Sequence, residues 1–256
     1  MKGKQTNREA SAMRFRTTCW DLVFGSGNVD ASQHRKALAE LCSLYWYPLY
    51  AFARNKGFSD DDAEDLTQSF FLHLLEKTVL KQAHPHRGRF RSFLLACFQN
   101  HMSVHRQYTS AAKRGGGHAL ISLDAQQSQE QYLLEPTEDL TAETVFDARW
   151  ANVLIDRVTM RLSEEYRRQG KEDAFERLRI HLNLKGDETT CSYEQSAKEL
   201  GLSLAAVKTL VFRIRKRFAA LLRDEVSKTL VDPADIDAEI HALYDALVAT
   251  EGRLER

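Results

Sequence analysis

Residues 77–123 hold eight lysines and arginines and not one aspartate or glutamate, although the chain as a whole carries 36 charged residues of each sign. A chain that is neutral on average is therefore strongly segregated. A second acid-free stretch, residues 200–223, contains Lys208, Arg213, Arg215, Lys216, Arg217 and Arg223, and residues 115–148 between the two hold seven acids and no lysine or arginine. This ordering predicts two basic modules on an acidic connector. Positive patches steer polyanions in and raise their local concentration, so nucleic acid contacted at two separate places is the expected use.

The length of 256 residues allows one large domain or two smaller ones, each able to bury a core. Only four prolines and twelve glycines interrupt a sequence rich in Leu, Ala, Glu, Arg and Gln, which predicts an all-α fold. Cys19, Cys42, Cys97 and Cys191 stand far apart, without CxxC or metal-ligand spacing, and read as reduced thiols of a cytoplasmic protein. The basic, polar start (Lys2, Lys4, Arg8, Arg14, Arg16) reads as a flexible arm over residues 1–16. No apolar run approaches membrane-spanning length, so no membrane partner is expected.

Along the chain, Leu38, Leu41, Tyr45, Leu49 and Phe52 recur at helical spacing, with Pro48 as an expected bend and Gly57 as the stop. Ser59 is placed to cap the next helix. Asp60, Asp61 and Asp62 load its first turn, Ala63, Leu66, Phe70 and Leu74 form its inner stripe, and Asp62, Asp65, Gln68 and Ser69 face outward. An acidic helix face is either solvated or meets a basic protein surface.

A loop over residues 81–91, with His84, Pro85 and His86, leads into a helix expected over 92–108 whose inner face is Phe90, Leu94, Cys97, His101 and Val104. Phe90, Arg91, Phe93, Phe98, Arg106 and Tyr108, followed by Lys113 and Arg114, interleave rings with cations. That pattern suits unpaired bases, since a ring stacks on any base while cations hold phosphate; the same phenylalanines also suit a core. Residues 116–144, acidic and glutamine-rich with Pro136, read as a flexible linker. Helical patterning returns at Val145 with Phe146, Trp150, Val153, Leu154, Val158 and Leu162 on one side, and a further helix is expected over 172–184.

The most specific local signal lies between Ser192 and Phe218. Ser192 caps a short helix bearing Ala197 and Leu200, Gly201 turns, and Ser203 opens a longer helix with Val207, Leu210, Val211 and Ile214 inward. This is helix-turn-helix spacing, with Lys208, Thr209, Phe212 and Arg213 toward a major groove and Arg215, Lys216 and Arg217 nearer phosphates. Beyond Val226, Asp232 and Pro233 open a last helix with Ile236, Ile240, Leu243 and Leu247 in a stripe.

Two stretches, DAEDLTQSFFLHLL (62–75) with GRFRSFLLA (88–96), and SYEQSAKELGLS (192–203) continued through Arg217, together resemble bacterial sigma-70-type initiation factors of the extracytoplasmic-function group. TTCW (17–20) and YWYPLY (45–50) look like a long-linker type within it. The resemblance implies two small helical domains, a region 2-like bundle over 17–115 and a region 4-like helix-turn-helix over 145–226. The acidic linker 116–144 would join them, and the extension 227–256 has no role in the family pattern. It assigns Asp62, Asp65, Gln68 and Phe71 to the helix that docks on the clamp coiled coil of the largest subunit of core RNA polymerase.

Arg89, Arg91, Phe93, Asn100, Arg106, Lys113 and Arg114 would bind and open the minus-10 element, duplex then single-stranded. Ser203, Lys208, Thr209, Phe212, Arg213 and Arg217 would read the minus-35 element. The resemblance implies no cofactor, no metal and no catalytic chemistry, and it admits an anti-sigma factor as a further partner. Two other classes compete. A stand-alone helix-turn-helix regulator would bind duplex DNA without polymerase. A metal-dependent phosphohydrolase could draw on His84, His86, His101 or His105 with Asp61, Asp62 and Asp65, but no HExxH, nucleophile motif or phosphate-binding glycine loop accompanies them.

Overall fold

A computed structural model of the chain describes residues 31–75, 89–112, 140–182 and 192–251, and every regular element among them is helical. The chain is all-α. Helices α1 (Ala31–Asn55), α2 (Asp60–Leu75) and α3 (Phe90–Ala112) come first. Then follow α4 (Ala142–Arg168), α5 (Glu172–Leu178) with a 3-10 turn (Arg179–Leu182), α6 (Tyr193–Leu200) and α7 (Leu204–Ser227). A 3-10 turn (Pro233–Asp235) opens α8 (Ile236–Glu251). The basic arm, the loop with His84 and His86, Lys113, Arg114 and linker residues 116–139 lie outside the described residues.

The expected punctuation explains the elements. Gly57, at φ 88°, ends α1, and Ser59 caps α2 by accepting from the Asp62 amide at 3.2 Å. Pro48 lies inside an uninterrupted α1. Thr141 accepts from the Thr144 amide at 3.1 Å, so α4 starts at Ala142, within what the composition alone marks as linker. Helix α3 begins two residues before its expected start: the Phe90 amide, an orphan donor at a helix N-terminus, finds the Thr229 carbonyl at 3.2 Å. The helix expected over 172–184 instead tightens after Leu178 into the 3-10 turn.

Two cores share one helix. The first gathers Tyr45, Leu49 and Phe52 of α1, Leu66 and Phe70 of α2, and Phe90, Leu94 and Phe98 of α3. Val145, Phe146, Trp150 and Leu154 from the first half of α4 join it, as do Val226, Leu230, Ile236 and Leu243 from the end of the chain. In the second core, Val158 and Leu162 of α4 meet Phe175, Leu178, Ala197, Val207, Val211, Ile214 and Phe218. At 1.5 Å per residue the 27 residues of α4 extend about 40 Å, enough to run through both. Residues 145–154, patterned like the opening of a second unit, thus pack in the first core.

The C-terminal extension belongs to this architecture. Glu225, 3 % exposed at the end of α7, is held by Arg157 Nε at 3.2 Å, by Arg161 and by Lys228 Nζ at 2.9 Å, while Arg157 also pairs with Glu40 of α1. A buried carboxylate is tolerated only when paired in this way. Among the described residues no helix is long and apolar enough to cross a membrane. Cys42 and Cys97 are free thiols, and burial pushes both up to about 11, far from the reactive thiolate range.

Candidate nucleic-acid interface

The turn between α6 and α7 fixes the direction of the second helix. Ser192 caps α6 by accepting from the Gln195 amide at 3.1 Å, and Gly201, at φ 63°, closes it with its own amide on the Ala197 and Lys198 carbonyls. The Leu202 amide returns to the Ala197 carbonyl at 2.9 Å, and Ser203 opens α7 by accepting from the Ala206 amide at 3.2 Å. Small Ala197 allows the close crossing, over Val207 and Val211 in the second core. A Cβ at Gly201 would meet nothing within 4 Å, so Gly201→Ala isolates the left-handed backbone penalty. The variant is expected to lose about 1–2 kcal/mol in urea unfolding with the fold retained; an unchanged midpoint would mean that the turn relaxes freely.

With Val207, Val211, Ile214 and Phe218 inward, α7 turns Lys208, Thr209, Phe212, Arg213 and Lys216 outward along one stripe. Phe212 is 67 % exposed, an unusual position for a large ring. The other cations of this run are engaged within the chain. Arg215 donates from Nε and Nη2 to the His181 carbonyl at 3.1 and 2.6 Å, anchoring α7 to the 3-10 turn. Arg217, expected on DNA, makes a two-pronged pair with Glu165 of α4 at 2.8 and 2.5 Å. Behind the interface, His181 bonds Ser196 at 2.8 Å and stacks on Tyr193 with ring centroids 4.5 Å apart; burial, then the nearby Arg215 charge, lowers its pKa.

The first basic run is more thoroughly committed. Arg91 is buried, with Nε 2.6 Å from Glu239 and its Nη1 on Asp147, and Arg89 Nε lies 2.8 Å from Glu239. Both arginines, expected at a minus-10 element, hold carboxylates in this conformation. The ring pattern also resolves largely into core: Phe90 and Phe98 are fully buried, Phe98 meeting Phe70 edge-on at 5.1 Å, and Phe93 is half-buried beside Phe90. Asn100 is exposed. Arg106, also exposed, lies over the Phe58 ring at 4.6 Å and donates to the Lys56 carbonyl at 3.0 Å, tying α3 to the α1–α2 turn.

Val104, expected inside, is 48 % exposed, while Met102 takes its place in the core. His101 Nε2 lies 2.9 Å from Ser69 Oγ and its ring stacks on His73. Burial, then the neighbouring His73 and His105, lower the pKa of His101. Among the described residues no group of three or more His, Cys, Asp or Glu is arranged to hold a metal ion.

On the acidic face of α2, Asp65 is exposed and Gln68, half-buried, donates to Glu64 at 2.9 Å. Asp62 is exposed but takes part in the cap, accepting from Ser59 Oγ at 2.6 Å. Phe71, expected at a partner surface, is 5 % exposed and stacks on Trp46 at 5.9 Å; Leu72 beside it is the exposed apolar residue, at 53 %. Compared with protein-family models, with curated proteins and with solved structures, the chain finds no match.

Proposed function

We propose that the chain is a non-enzymatic, cytoplasmic transcription initiation factor that binds core RNA polymerase, directs it to two promoter elements and assists strand opening. The observation that carries this reading is the stripe Lys208, Thr209, Phe212, Arg213 and Lys216, outward on an acid-free helix behind a glycine turn. A helix so presented fits a major groove, with its N-terminal residues at base edges and its cations at phosphates. In this reading α1–α3 form the region 2-like unit and α5–α7 the region 4-like unit, with α4 continuous between them.

Asp65, Gln68 and the exposed Leu72 then face the polymerase clamp coiled coil, with Phe71 supporting the helix from beneath. Arg89, Arg91, Phe93, Asn100 and Arg106 line the approach to the minus-10 element.

Reconstituted transcription tests the proposal. Core polymerase with the purified chain should start at discrete sites on promoter fragments from the chain's own genome, and core polymerase alone should not. Absence of such starts on every fragment would sink the reading. Duplex binding of equal strength with and without core enzyme would favour the stand-alone regulator instead.

A further inference from the structure

Two arginines converge on one carboxylate where α3 meets α8. Glu239, fully buried, accepts from Arg91 Nε at 2.6 Å and Nη2 at 3.3 Å through its two oxygens, and forms an ion pair with Arg89, whose Nε lies 2.8 Å away. Asp147 of α4 takes the remaining prong of Arg91. A forked guanidinium on two oxygens, with a second guanidinium sharing one of them, is the geometry proteins use for phosphate as well as carboxylate. Burial alone would push the Arg91 guanidinium down, and the two carboxylates outweigh it, holding the group firmly charged.

We propose that Arg89 and Arg91 form a site for a backbone phosphate of single-stranded DNA that is filled in the free chain by Glu239, so that α8 is an internal competitor for it. This rests on reading the start of α3 as part of a strand-opening surface. Arg89 and Arg91 belong to a run without any acid of its own, so their carboxylate partners come from distant segments. Exchanging Glu239 for phosphate keeps both guanidinia paired, which avoids the large penalty of leaving buried charges bare. With Glu239 withdrawn, the two arginines face Asp147 alone, and Arg89, whose side chain is 34 % exposed, is the edge at which phosphate enters.

The attachments of α8 suit a clasp that opens as a unit. Its inner face, with Ile236, Leu243 and Ala246 buried and Ile240 and Leu247 partly so, lies on one continuous helix, so these contacts are released together. At its start Asp237 pairs with Arg223 at the surface, where salt screens the interaction. The segment that leads into it also supplies the Thr229 carbonyl to the Phe90 amide at 3.2 Å, so release of α8 bears on the first turn of α3.

The test uses the full chain and a labelled single-stranded oligodeoxythymidine at low salt, with amide hydrogen exchange read across α8. Glu239→Gln should speed exchange in α8 and tighten oligonucleotide binding about tenfold, as expected when a closed state dominates the free protein by that factor. In the wild type the oligonucleotide should itself speed α8 exchange, since the competition is reciprocal. Asp237→Asn, which breaks the surface pair with Arg223 and leaves the buried cluster intact, should move both readouts in the same direction by less. It carries the test should Glu239→Gln fold poorly.

Asp245→Asn removes the same charge from the exposed face of α8 and should leave α8 exchange unchanged, with binding within about twofold. Equal affinity of wild type and Glu239→Gln, or binding that leaves α8 exchange unaltered, would overturn the clasp and leave the initiation-factor reading standing. Faster α8 exchange in Glu239→Gln without any oligonucleotide binding would overturn both the phosphate site and the strand-opening role of α3.

Discussion

Trp150→Ala is expected to lower the stability of the chain by about 3–5 kcal/mol in urea or thermal unfolding, the usual range for truncating a buried large aromatic. Trp150 is fully buried in the first half of α4, stacked on Tyr45 of α1 at 5.8 Å and lying 6.0 Å from the Arg91 guanidinium. Its removal therefore leaves a cavity between α1 and α4 and takes a wall from the arginine cluster. Domains of ordinary stability hold only about 5–15 kcal/mol, so the loss would be a large share of the total. Met160→Ala on the same helix, 73 % exposed, should change stability by no more than about 0.5 kcal/mol.

Trp150→Phe should fall well below Trp150→Ala. The indole Nε1 has no hydrogen-bond partner among the described residues, so phenylalanine loses area without breaking a bond. Because α4 carries residues of both cores, the truncation should also weaken protection of α6 and α7, which hydrogen exchange would read. A loss confined to α1–α3 would show that the cores unfold independently despite the shared helix.

Local punctuation made much of this fold legible. Ser59, Ser192, Ser203 and Asp232 cap where their sequence context places them, and Gly57 and Gly201 turn with positive φ. These signals act over three or four residues and need no knowledge of the partner. The stripe of α3 shows where periodicity stops informing: Phe90, Leu94, Phe98 and Met102 step by four, whereas a mixed step through Cys97 and His101 leads to Val104. Either register is apolar enough, and only the curvature of the neighbours selects one.

The arginine cluster was hidden for a different reason. A charge run sums over a segment, but Arg89 and Arg91 find their counterions on α4 and α8. One trace of it does lie in the sequence: Glu239 falls on the Ile236, Ile240, Leu243 stripe, and an acid on an apolar stripe demands a buried cation. Likewise Phe90 and Phe98, spaced eight residues apart on α3, share a helix face, which marks them as interior more strongly than their cationic neighbours mark them as base-stacking.

The same distinction between engaged and presented cations sets the largest functional effect expected. Against a duplex taken from upstream of a start site identified by transcription, Arg213→Ala should cost about 1–3 kcal/mol of binding and relax preference at one base pair, if its guanidinium reaches a base edge. Lys208→Ala should weaken binding evenly across sequences and reduce the salt dependence by about one counterion. Arg217→Ala supplies the internal comparison, because its guanidinium is already held by Glu165, whose side chain is 29 % exposed and easily rehydrated. Its effect should be several-fold smaller than that of Arg213→Ala, measured by titration at two salt concentrations. An equal loss would mean that Arg217 leaves Glu165 for DNA, and the reading face would then extend beyond the stripe that ends at Lys216.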